Sequence, residues 1–292
     1  MFQSCLICTD FTDGLDRLVN FVPELAKGGL KKIIFLHSLP VWEQERLTGV
    51  DETQIAQARE RLSGALQKVP EGVEVKIEVL CGRPTDTILR VLNHEKLDVI
   101  IAGTPIRSAL EEKFFGSTSM ELTKQTASPL MILRPQLIST YTVEELSLRC
   151  QHLWRYLLIP YSDSEAGQYL ISQIKKYAQN RPANSLQKCM LLSIIEDKGR
   201  ENIITTHRLE QAHQKLEALK EELEQLELEV NIEVKQGNIL REIIHTAVEF
   251  DISAIAVAKN PRSPIIDWAV PSVVNEVLHG VWFPLLFFSP HK

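Results

Sequence analysis

No apolar run in the 292-residue chain reaches the roughly 18 residues that a membrane span needs. Runs such as Val281–Phe288 are strand-sized. The opening residues Met1-Phe2-Gln3-Ser4-Cys5 carry no basic stretch, apolar core and cleavage site of a secretory signal. A cytoplasmic protein without membrane insertion is therefore expected. Excess positive charge is also lacking. A net charge of -6 argues against a nucleic-acid binder that works by phosphate neutralisation, although a few local donors would still hold a small anion. Cysteines are few, five at irregular spacing, which is not a disulfide framework. Cys5 and Cys8 look like half of a zinc knuckle, but in a strand three residues apart they face opposite ways. No second Cys or His pair follows, so they read as buried thiols. The chain has no Gly-x4-Gly-Lys-Ser/Thr phosphate loop, no Gly-x-Ser-x-Gly elbow and no His pair at metal-ligand spacing. An enzyme is the least favoured class, with slow ATP hydrolysis at most a side activity. His37 and His94 read as satisfying local hydrogen bonds.

What is present is a repeat. The segment from Asp98 to Pro135 lies without a gap over Ser253 to Pro290, 155 positions later, and Gly82 meets Gly237 at the same offset. Earlier elements recur at slightly different offsets: the strand and turn within SCLICTDFTD correspond to those within RYLLIPYSDS, with Asp10 opposite Ser162. The strand within KKIIFLHSL corresponds to that within KCMLLSIIE, with Lys32 opposite Lys188 and His37 opposite Ser193. A unit of about 140 residues is duplicated.

In the first copy, short continuous apolar runs predict strands over Ser4–Thr9, Lys32–His37, Glu74–Val79, Val99–Ala102 and Leu130–Leu133. Between them lie helical patterns, such as the face Leu15, Leu18, Val19, Val22 and Leu25. Strands alternating with helices imply right-handed crossovers and a doubly wound, mostly parallel five-stranded sheet. The expectation is an α/β protein with two such Rossmann-like sheets in tandem: residues 1–137, a linker 138–152 and residues 153–292. The linker holds a short helix capped by Thr142, with Glu145 three residues on. In the second copy, Arg208–Leu228 is a charged helix with leucines at 209, 216, 219, 223 and 226. That stripe suits packing on its own sheet, or else a coiled-coil partner.

In an open parallel sheet, ligands bind beyond the carboxyl ends of the strands, at the switch in strand order. Thr9-Asp10, Ser38, Gly82 and Gly103 converge there, ahead of helix N-termini whose free N–H groups suit phosphate. Farther on, Gly116 would let backbone approach an anion, and Ser117, Thr118 and Ser119 add hydroxyl donors. Equally, Gly116 is a turn residue and Ser117 an N-cap. Asp10 reads either as a ligand contact or as a cap of the following helix.

These residues resemble the universal stress protein family, whose nucleotide-binding members share Gly-x2-Gly-x9-Gly-Ser/Thr between the fourth strand and the last helix. The matching positions are Gly103, Ile106, Gly116 and Ser117; LICTDFTD resembles the family's first strand and IIFLHSL its second. The resemblance covers nearly all of both copies. It implies the adenine nucleotide alpha hydrolase-like fold and a stress-response protein that binds ATP (with Mg), ADP or AMP in the first domain. Thr9 and Asp10 would flank adenine and ribose, and the backbone at Ser38 would read the adenine edge. Gly103, Gly116, Ser117, Thr118 and Ser119 would cradle ribose and phosphates. It also implies domains paired through their last strands, Leu130–Leu133 and Leu285–Phe288, as an intramolecular pseudo-dimer that hides two edges. A further homodimer and protein partners are compatible with it.

Two departures stand out. Ile106 replaces the second motif glycine, adding bulk and disfavouring positive φ. Arg107 beside it either pairs with phosphate or is a surface charge. In the second copy the matching positions are Ala258, Pro261, Pro271 and Ser272, and Pro271 removes an N–H where an anion needs one. Nucleotide binding there is expected to be lost or remodelled. Trp268, Trp282 and Phe283 would then line an apolar cavity or belong to the core. The alternatives to a nucleotide sensor are an interaction scaffold without nucleotide and a carrier of an apolar small molecule in the second domain.

Overall fold

The computed structural model describes residues 1–44, 47–49, 52–104, 117–134, 142–196, 202–260 and 280–290. The chain divides into two compact units, Phe2–Gln151 and His152–Pro290. In the first, the strands are β1 (Ser4–Thr9), β2 (Lys32–Leu39), β3 (Trp42–Gln44), β4 (Leu47–Gly49), β5 (Glu74–Cys81), β6 (Val99–Gly103) and β7 (Leu130–Leu133). β3 and β4 form a small antiparallel pair, which the sequence reading did not anticipate. The other five are parallel in the order β7-β6-β1-β2-β5. Their apolar runs are buried on both faces: Leu6, Ile7, Ile33, Phe35, Ile100 and Met131 are inaccessible to solvent.

The face Leu15, Leu18, Val19, Val22 and Leu25 is wholly buried, as its spacing predicts. It starts as a 3-10 turn (Leu15–Phe21) and becomes α-helical only in α1 (Val22–Lys27), where Pro23 occupies the first turn. The remaining helices of this unit are α2 (Glu52–Leu62), α3 (Pro84–Glu95), α4 (Ser117–Gln125) and α5 (Val143–Gln151). The Glu145 N–H donates to Thr142 Oγ1 at 3.1 Å, the N-cap expected from the sequence. α5 packs on α1, burying Leu146 and Cys150.

The second unit repeats the plan with β8 (Tyr156–Pro160), α6 (Glu165–Gln179), β9 (Lys188–Ile195), α7 (Asn202–Glu224), β10 (Glu229–Gln236), α8 (Ile239–Glu249), β11 (Ala254–Ala258) and β12 (Leu285–Phe288). Its strand order is β10-β9-β8-β11-β12. Even the register recurs. Ser4 pairs with Lys32 and Cys5 with Val99; at the repeat offsets, Tyr156 pairs with Lys188 and Leu157 with Ala254. Gly82 and Gly237 both take positive φ, 142° and 153°, and their N–H groups donate to Leu39 O and Ile195 O. That backbone region is open essentially to glycine alone, so both turns keep it. On α7, Leu216 and Leu223 are fully buried against β9 and β10, while Glu221, Glu222 and Glu224, and Glu227 in the turn beyond, are exposed. The leucine stripe packs on its own sheet.

Candidate functional site

In the first unit the chain winds outward from β1 through β2 to β5, then returns to the other side of β1 at β6. The reversal opens a crevice between the carboxyl ends of β1 and β6. β2 runs past the end of β1: Thr9 pairs with His37, while Ser38 and Leu39 pair only with β5. The β1-facing backbone edge at Ser38 therefore borders the crevice. The Ser38 hydroxyl is shared with Thr87 Oγ1 of α3 at 2.6 Å.

The turn after β1 is tightly bonded. Thr9 is 5% exposed; its hydroxyl donates to Asp13 Oδ1 at 2.8 Å and accepts from the Phe11 N–H at 3.0 Å. Asp13 Oδ1 also accepts from the Leu15 N–H at 2.9 Å, the first N–H of the 3-10 turn, whose N-cap position is held by Gly14. Asp10 is exposed, and its Oδ1 accepts from the Thr12 N–H and hydroxyl at 2.8 and 2.7 Å. Phe11 holds φ at 65°, a strained setting for a bulky residue. Its ring stacks on His37 at 4.0 Å, with the Arg61 guanidinium 4.2 Å from its centroid. Arg61 is in turn held by Asp16. His37 Nδ1 donates to Thr9 O at 2.8 Å, a local hydrogen bond of the kind its sequence context suggests.

Gly103 faces this turn from β6. A Cβ there would lie 2.6 Å from Asp13 Cβ and 3.0 Å from Asp13 Oδ2, so the carboxylate rests directly on the first motif glycine. Thr9, Asp13 and Gly103 are thus brought together, with Asp10 beside Thr9 in the turn and Ser38 one strand away. Ser117 and Thr118 open α4 and Ser119 is buried behind them. α4 is tied to the start of α3 by a 2.9 Å hydrogen bond from Thr85 to Glu121. Ile106, Arg107 and Gly116 lie outside the described residues.

The model of the universal stress protein family matches residues 1–134 and again 154–289. The chain belongs to the universal stress protein family. It is a tandem member, with one family domain in each unit. A universal stress protein from Archaeoglobus fulgidus DSM 4304 is structurally similar over 98% of this chain and 96% of its own, with 15% identity and a TM-score of 0.63. A functionally unknown protein from Pseudomonas aeruginosa PAO1 is similar over 99% and 93%, with 13% identity and a TM-score of 0.62. At such identities these likenesses carry the fold. No curated protein sequence matches the chain at a significant level.

The second domain of this universal stress protein differs at the matching positions. Ala258 stands where Gly103 stands in the first and is 4% exposed. Beyond β8, the Ser162 carbonyl packs onto Gly167 of α6, and Lys215 of α7 forms an ion pair with Asp163. Pro261, Trp268, Pro271 and Ser272 lie outside the described residues. Trp282, read as core or cavity lining, is 46% exposed and stacks on Phe283. Among the described residues no helix is long and apolar enough to cross a membrane, and no His/Cys/Asp/Glu cluster is placed to hold a metal.

Asp13 is the site residue that sequence reasoning passed over. Burial pushes its carboxyl up to about 6; the Leu15 N–H and Thr9 hydroxyl pull the other way, the Asp10 carboxylate adds to the rise, and the Asp10 N–H opposes it weakly. Since this lies above the ordinary value of 3.8, the folded chain holds the proton more tightly than the unfolded chain does. Asp13's contribution to stability is therefore complete below about pH 4 and is lost as pH rises through about 6. The difference in melting temperature between Asp13→Asn and the native chain, followed by circular dichroism, should shift in favour of the variant across that interval. A pH-independent difference would contradict the placement of Asp13.

Proposed function

We propose that this protein is a non-catalytic stress-response regulator that binds one adenine nucleotide per chain, in the first domain. The observation that carries the reading is the crevice floor, where Thr9, Asp13 and Gly103 meet at the strand switch of a universal stress protein domain. Adenine would lie along the free β2 edge at Ser38, where backbone groups offer an amide-like donor and acceptor pattern. Ribose would sit over Gly103 beside Asp10. Phosphates would extend toward Gly116, Ser117, Thr118 and Ser119, with Arg107 as counter-charge, and Mg would accompany ATP. The described floor carries the carboxylates of Asp10 and Asp13, and Arg61 is already held by Asp16. That balance favours a short phosphate chain directed away from β1, AMP or ADP over ATP. A cytoplasmic setting, protein partners and a homodimer belong to the same reading.

The test is to denature freshly purified protein and identify released nucleotide by chromatography, with calorimetric titration of ATP, ADP and AMP alongside. Adenine nucleotide should be released, or bound on titration, and Gly116→Val should abolish it. Neither release nor binding at millimolar nucleotide would sink the reading and favour an interaction scaffold.

A further inference from the structure

We propose that β5 is a homodimer interface, on which the β5 of a second copy docks antiparallel in a register centred on Ile77. The inference gives a surface to the homodimer named above and does not depend on nucleotide binding.

β5 ends the strand order of the first domain and pairs with β2 alone among the described residues. The Glu74 N–H donates to Lys31 O, and the Gly82 N–H to Leu39 O. Parallel pairing alternates along the strand, so Glu74, Lys76, Glu78 and Leu80 turn their backbone groups to β2. The N–H and C=O groups of Val75, Ile77, Val79 and Cys81 point along the free edge, and no described residue bonds them. The pairing with β2 runs from Glu74 to Cys81 without a bulge. An edge this long and regular accepts another strand unless something guards it.

Lys76, a charge in mid-strand, is that guard, and a second copy of β5 satisfies it. An antiparallel partner must set the odd-numbered residues opposite one another, since only they present free backbone groups. Two such two-fold registers use nearly the whole strand, one centred on Ile77 and one on Glu78. The second sets Glu78 against the second copy's Glu78, and like charges directly opposite repel. The first sets Lys76 against the second copy's Glu78, and the symmetry makes that pair twice. Both pairs fall at positions without backbone bonds, where facing side chains come closest. Glu78 is half-buried and has no cationic partner among the described residues. Lys76 is held by Glu74 and Glu95 at 3.0 and 3.1 Å, and its ammonium has three donors. On the other face, half-buried Val75 and Ile77 would meet Val79 and Ile77 of the second copy. β10 repeats the strand as Glu229-Val230-Asn231-Ile232-Glu233-Val234 but not the device. Asn231 stands where Lys76 stands, and its amide donates to Tyr156 Oη at 2.9 Å, so Glu233 would face no cation there.

The test is sedimentation equilibrium of the full chain across a dilution series reaching tens of micromolar, with circular dichroism on each variant. The native chain should be a dimer there. Ile77→Pro removes an N–H that β2 does not use, so it should fold and sediment as a monomer. Glu78→Lys breaks no ion pair among the described residues and sets lysine against lysine, so it should weaken the dimer at least about tenfold. Ile77→Cys should oxidise to a covalent dimer linked through position 77, since residues facing across a backbone-bonded pair stand about 5.5 Å apart at Cα. A monomeric native chain, or open-ended assembly such as β5 pairing with a second copy's β10 would give, overturns the proposal. So does a dimer that Glu78→Lys leaves unweakened, or one without linkage at position 77. Each of these results leaves nucleotide binding untouched.

Discussion

Alanine at position 167 should lower the melting temperature of this universal stress protein by roughly 5–10 °C, a loss of about 2–3 kcal/mol. The prediction runs against helix propensity, since Gly→Ala inside a helix ordinarily stabilises by roughly 0.5–1 kcal/mol. At Gly167, in the first turn of α6, a Cβ would lie 2.1 Å from the Ser162 carbonyl oxygen and 3.3 Å from the Tyr161 ring. The first of these is backbone, and it cannot swing aside as a side chain could. Ser162 is also held from within the turn, its hydroxyl 3.0 Å from that of Ser164, which caps α6 through the Gly167 N–H. Relief therefore requires α6 to move away from the end of β8. Thermal melts with denaturant titrations would measure the loss; an unchanged or higher melting temperature would show that α6 does not pack so closely.

Gly103→Ala should weaken adenine nucleotide binding at least about tenfold and destabilise the first domain by about 1–3 kcal/mol. One methyl group is enough, because its place is already taken by the Asp13 Cβ. Asp13 cannot retreat without breaking its bonds to Thr9 and the Leu15 N–H, on which the start of the 3-10 turn depends. The turn would therefore shift as a unit, moving Asp10 and Phe11 with it. The matching change in the second domain, Ala258→Gly, should leave nucleotide affinity unaltered. Calorimetry on both variants checks the pair of outcomes; equal affinities for Gly103→Ala and the native chain would remove Gly103 from the site.

The sequence carried the fold because its signals were local and repeated. Strands such as Ser4–Thr9 and Leu130–Leu133 begin and end where their apolar runs do. β2 and β5 each run two residues beyond their expected ends, through Ser38-Leu39 and Leu80-Cys81, which pair with each other. The Trp42–Gln44 and Leu47–Gly49 pair was not legible, since nothing in WEQERLTG marks a hairpin of the Asn-Gly kind. The site was half legible. Asp10 drew notice because it follows the first strand directly, as in the family pattern. Asp13 carries no motif signal in the sequence, and one of its oxygens accepts the first N–H of the 3-10 turn. The packing of Asp13 on Gly103 is a contact between residues far apart in the chain that no local pattern records. The Thr9 and Asp13 spacing, four residues apart across a turn, was the one available hint.

Binding of an adenine nucleotide by one domain of the tandem and not the other would be read from the stoichiometry of AMP binding. Titration of nucleotide-free protein should saturate at one AMP per chain and lose that site on Gly103→Ala. Two sites per chain, or one that survives Gly103→Ala, would contradict a single site in the first domain.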